Sequence, residues 1–113
     1  MSANENIKKL LTTVGLGAKA RAIVCGTEQI CEALRNEKKK PFIVIEAKDT
    51  SENTHKKLTD KCTYYGVRLE RIDADTVELG YAVGKRAAVA AVGVTDAGIC
   101  RAVLKKLDEI KEK

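Results

Sequence analysis

The stretch Ala22-Ile23-Val24-Cys25-Gly26-Thr27-Glu28-Gln29-Ile30 decides how the chain is read. A short apolar run ends at Gly26-Thr27, two polar residues follow, and Ile30, Cys31 and Leu34 recur at helical spacing, so a strand passes directly into a helix. Such a junction leaves the first backbone N–H groups of the helix pointing outward. Gly26 brings no Cβ to the approach and Thr27 offers a capping hydroxyl, so the turn suits a phosphate or another polar partner. An ordinary capped helix of an α/β domain fits the same residues.

Working outward toward the N-terminus, Ile7, Leu10, Leu11 and Val14 predict a helix from Asn4 to Val14 that Gly15 stops. Leu16 to Arg21 then reads as a basic connector of small residues, and it is no P-loop because G-x-x-x-x-G-K-[ST] is absent. In the other direction the second helix runs from about Thr27 to Asn36. Glu37-Lys38-Lys39-Lys40-Pro41 follows as a charged turn, since Pro41 cannot continue a helix. Phe42-Ile43-Val44-Ile45 has the pattern of a central strand covered on both faces. Asp49 or Ser51 starts a third helix whose stripe of Leu58, Cys62 and Tyr65 ends at Gly66.

Val67 to Ile72 reads as an exposed third strand, and Asp75-x-x-Glu78 as the capping-box start of a short helix with Leu79, Ala82 and Val83 inward and Gly84 at its end. Ala87-Ala88-Val89-Ala90-Ala91-Val92 is expected to be a second doubly covered strand. Thr95 or Asp96 caps the last helix. Ile99, Val103, Leu107 and Ile110 face its core side, while Lys105, Lys106, Lys111 and Lys113 lie on the solvated side or near the C-terminal dipole. Helices alternate with strands throughout, which implies a three-layer α/β/α sandwich on a small sheet.

A chain of 113 residues holds one small domain, taken here as 1–113. At 44% apolar and 33% charged residues it has the composition of a folded globular protein rather than a disordered one. No apolar run approaches the roughly 20 residues of a membrane span. The polar, partly acidic start Met1-Ser2-Ala3-Asn4-Glu5-Asn6 is not a secretory signal, so a cytoplasmic protein without a membrane partner is expected. A net charge of +5 fits a nucleic-acid partner and equally a small soluble domain.

With one Phe, three Tyr and no Trp, the chain lacks the aromatic platform used to stack single-stranded bases. Cys25, Cys31, Cys62 and Cys100 form no C-x-x-C pair and His55 is the only histidine, so the thiols read as small buried hydrophobes and no metal is expected. His55 falls at the edge of the third helix's apolar stripe, a surface or boundary position. The sequence offers no paired carboxylates, Ser-His-Asp set or phosphate loop, so neither an enzyme nor a cofactor is expected. Cys25 alone sits where a helix start lowers a thiol pKa, and burial opposes that.

Read in order, Val14-Gly15-Leu16-Gly17-Ala18-Lys19-Ala20, Cys25-Gly26-Thr27, the block from Ser51 to Cys62, Leu79-Gly80-Tyr81-Ala82-Val83-Gly84-Lys85 and Val94-Thr95-Asp96 resemble one family. It is the kink-turn RNA-binding ribosomal protein superfamily of L-seven-Ae and L-thirty-e type, and the likeness is greatest to its small bacterial YlxQ branch. The resemblance spans about residues 5 to 108, and its most specific part is S-x-N-T-x-K-K-x-x-D-K-C. It implies an α/β/α sandwich with a four-stranded mixed sheet.

It also implies a structured RNA as partner, a kink-turn or a related RNA, ribosomal RNA included; no small-molecule substrate is expected, and the chain reads as a monomer. Family members that grip a kink-turn open the second helix with G-x-N-E-x-x-K, and a hydrophobic loop before L-G-x-A-x-G packs over the flipped bases. The matching positions are Gly26, Thr27, Glu28, Gln29 and Glu32, with Asp75, Thr76, Val77 and Glu78 in the loop. Glu28 stands for the family's Asn, Gln29 for its Glu and Glu32 for its Lys. An amide holds a guanine edge less selectively than a carboxylate, and Glu32 reverses a charge where a phosphate would approach. Lys19, Arg21, Lys85 and Arg86 are expected to flank the junction and supply phosphate contacts, whereas Lys56, Lys57 and Lys61 read as solvated lysines. The acidic changes leave a second reading open, a protein-interaction module that keeps the fold without the RNA.

Overall fold

The computed structural model describes residues 3–111, so Met1, Ser2 and the solvated Lys113 expected at the last helix lie outside the described residues. Five helices and four strands alternate: α1 (Ala3–Lys19), β1 (Ile23–Cys25), α2 (Thr27–Leu34), β2 (Ile43–Glu46), α3 (Glu52–Tyr65), β3 (Arg68–Arg71), α4 (Thr76–Ala82), β4 (Ala91–Val94) and α5 (Ala97–Lys111). The strands form one mixed sheet in the order β1-β4-β2-β3. Only the β2–β3 pair is parallel.

The pleat sends alternate residues to opposite faces. Ile43 and Ile45 of β2 and Val92 and Val94 of β4 pack with Leu10 and Val14 of α1, Leu79 of α4, and Val103 and Leu107 of α5. Val44 and Ala91 turn the other way, onto Ile30 and Leu34 of α2 and Leu58 and Cys62 of α3. The result is the expected α/β/α sandwich, with two central strands buried along their whole length.

Several boundaries depart from the sequence reading. Helix α1 runs through Gly15 and Leu16 to Lys19. Gly15 is no stop: a Cβ there would lie 2.7 Å from the carbonyl oxygen of Ala82, so glycine lets α4 approach α1 closely. The helix ends instead where Arg21 N donates to Ala18 O and Ala22 N donates to Gly17 O, a closure that puts Arg21 in the left-handed region at φ 57.

Strand β2 starts one residue late and takes in Glu46, leaving Phe42 exposed rather than in a covered strand. Strand β4 covers Ala91–Val94, not the alanine run from Ala87. Ala87 and Ala88 are exposed, Val89 N donates to Thr76 O, and Ala47 N to Ala90 O, so this run wraps α4 before the ladder begins.

Ser51, not Asp49, caps α3, its hydroxyl accepting from Thr54 N. Asp49 Oδ1 instead accepts from Thr76 N at 2.8 Å and ties the β2–α3 connection to the start of α4. Asp96 caps α5 by accepting from Ile99 N. No described helix is long and apolar enough to cross a membrane.

Candidate nucleic-acid interface

The β1–α2 turn is built on Gly26. Its backbone at φ 96 and ψ 148 is a conformation essentially restricted to glycine, and it turns the chain from the sheet edge into α2 within one residue. Gly26 N donates to Ala91 O and Gly26 O accepts from Ile30 N, which fixes the turn to β4 and to the helix. Gly26 is thus the N-cap. Thr27 is the first helical residue and not the cap expected of it, and no side chain caps α2. The N–H groups of Thr27, Glu28 and Gln29 form its open first turn. Gly26 and Thr27 are half-buried and Glu28, Gln29 and Glu32 exposed, so the turn faces solvent.

Arg21, Cys25, Gln29, Val83 and Lys85 line one depression beside this turn. The end of α1, the end of β1, the first turn of α2 and the residues just past α4 meet there. Burial pushes the Cys25 thiol up while the Lys85 ammonium pulls it down. The net direction is upward, so the helix start does not make Cys25 an activated nucleophile. Arg21 and Gln29 also border a second depression, with Glu32 on its wall.

The acid nearest the helix start is not left bare. Lys57 of α3 donates to Glu28 across the α2–α3 contact, and that hydrogen bond is the first reason the Glu28 carboxyl lies below its ordinary range. Lys57 is therefore an ion-pair partner rather than a simply solvated lysine. Lys56 likewise pairs with Asp60 within α3. Glu32 makes no such pair among the described residues.

Other expected positions separate. Lys19 and Glu78 border a different groove, between α1 and α4, with exposed Tyr81 and Leu16. Asp75 to Glu78 is not a loop. Asp75 is the N-cap of α4, and the Glu78 carboxylate closes the capping box by accepting from Asp75 N at 3.0 Å. Val77 is exposed on that first turn, and Arg86 is exposed beyond Lys85.

Two features were missed in the sequence. Glu46 is wholly buried at the end of β2, where Oε1 lies 2.8 Å from His55 Nδ1 and Oε2 accepts from Thr50. His55 is half-buried, at the boundary position expected, but it has this carboxylate as partner. The second feature is the Lys38–Lys39 pair, which borders the depression carrying Glu32. The run of three lysines was visible as a charged turn, with nothing to say which face it joins.

The sequence matches the model of the ribosomal protein L7Ae/L30e/S12e/Gadd45 family over residues 8–104. The RNA-binding protein YlxQ of Bacillus subtilis (strain 168) is 39% identical over 95 residues, covering 84% of this chain and 91% of its own. The RNA-binding protein YlxQ of Enterococcus faecium is 35% identical over 96 residues, covering 85% and 88%. Among solved structures, a protein of unknown function from Bacillus halodurans superposes with a TM-score of 0.78 at 35% identity, over 88% of this chain and 97% of that one. The Giardia lamblia 15.5kD RNA binding protein shares the fold, with a TM-score of 0.75 at 21% identity over 96% of this chain and 89% of its own.

Proposed function

The chain belongs to the ribosomal protein L7Ae/L30e/S12e/Gadd45 family, and on that premise we propose that it is a non-catalytic, cytoplasmic RNA-binding protein that grips a kink-turn at the β1–α2 junction. The observation that carries the reading is the open helix start at Gly26, uncapped by any side chain and bordered by Arg21, Lys85 and the Gln29 amide. Backbone N–H groups at a helix start and two cations suit the phosphates at a sharp bend. The Gln29 amide, as donor and acceptor, suits a base edge. The names of two relatives support an RNA partner, since both YlxQ proteins are named for RNA binding.

Glu28 does little harm to such a site, because Lys57 offsets its charge. Glu32 does more, as an anion on the wall of the neighbouring depression with no ion-pair partner among the described residues. The expected affinity is therefore modest. An electrophoretic shift with a kink-turn RNA duplex at low salt tests this: binding at micromolar protein is expected, tightened about tenfold or more by Glu32→Lys with Gln29→Glu. No shift at micromolar protein, for the natural chain and for the double variant, overturns the proposal.

A further inference from the structure

The depression beside the outer edge of β1 continues past the junction. Gln29 and Glu32 of α2 line it together with Arg21, and Asn36, Lys38 and Lys39 border its end beyond the helix. Asn36 builds that end: its Oδ1 accepts from Lys38 N at 3.0 Å and its carbonyl oxygen accepts from Lys39 N at 2.9 Å. These two bonds fix the turn that carries both lysines.

Elsewhere on the molecule part of the positive charge is already committed. Lys48, Lys56, Lys57, Lys106 and Lys111 are each paired with a carboxylate, and Lys40 donates to Tyr65 O. The side chains of Arg21, Lys38 and Lys39 have no ion pair or hydrogen bond among the described residues. Three uncommitted cations thus face one depression with a single acid, Glu32, on its wall. From Gln29 to Leu34, the last residue of α2, the helix rises about 7.5 Å, the length of about two base steps along one strand.

We infer that the RNA backbone leaves the β1–α2 junction along this groove and that Lys38 and Lys39 hold its phosphates, as a second contact site separated from the first by Glu32. The inference rests on the RNA reading of the junction. It gives Glu32 a place between two attractive clusters, where a passing phosphate feels it most.

Salt-dependent titration of a kink-turn RNA with flanking helices of at least one turn tests it. The natural chain is compared with Lys38→Gln/Lys39→Gln and with Lys61→Gln/Lys105→Gln, which removes the same charge from α3 and α5. The first variant is expected to bind about tenfold more weakly and to flatten the slope of log K against log salt by about 1 to 2, with less than a twofold effect from the second. Equal behaviour of the two variants, with the natural chain binding normally, overturns this inference and leaves the junction reading intact. Failure of the natural chain to bind overturns both.

Discussion

Gly26 meets two demands at one position. Its φ of 96 is open only to glycine, and its lack of a Cβ leaves the helix start accessible. An added Cβ would lie 2.6 Å from Gln29 Oε1, the free end of a side chain that can swing away, so the cost of substitution comes from the backbone. Gly26→Ala is expected to lose about 1–3 kcal/mol, read as a lower urea midpoint at an unchanged m-value, together with RNA affinity. At this scale the sequence was informative where local chemistry decides. The strand-to-helix junction at Gly26, though not its cap, the Asp75–Glu78 capping box and the helix end at Gly66 were readable from neighbours. The Glu28–Lys57 pair was not, because its members are brought together only when α2 packs on α3. Glu46 was hidden for a related reason, since an acid after Phe42-Ile43-Val44-Ile45 reads as the end of a strand until a partner on α3 is known.

Elements were found reliably but their limits were not, and α1 and β4 show why. A glycine in a helical pattern has two uses, ending the helix or admitting a neighbour, and only the packing partner tells them apart. Gly15 faces the Ala82 carbonyl, so it does the second. Gly15→Ala gains up to about 1 kcal/mol of helix propensity and loses about 1–3 kcal/mol to a contact with backbone that cannot move away. A net loss of stability in urea unfolding is the expected result, and a gain would mean that α4 can shift. Alanine carries little preference for a strand, so the apolar run from Ala87 placed the start of β4 four residues too early. Pairing chose it: Val92 and Val94 oppose Cys25 and Ile23 on one side and Ile45 and Ile43 on the other.

For the whole molecule, the sheet divides the core into two apolar layers, and the acid–base groups sealed into them shape the stability curve. Cys62 lies in the α2–α3 layer, where burial first and then the nearby Cys31 and Glu46 push its thiol up from 9.0 to about 11. Below about pH 9 both the folded and the unfolded chain keep this proton. Between about pH 9 and about 11 the unfolded chain gives it up and the folded one does not, so stability falls with rising pH. The difference is roughly 2 to 3 kcal/mol over that window, and Cys62→Ala, weaker at neutral pH, is expected to flatten the decline measured by urea unfolding. The carboxylate sealed at the end of β2 has another consequence. Glu46 is held by Thr50 and by His55, residues that lie four and nine positions further along and reach back from the next connection and helix. Anyone grafting a foreign α3 onto this scaffold must therefore transplant strand end, connection and helix as one cassette, or exchange all three polar members together for aliphatic ones.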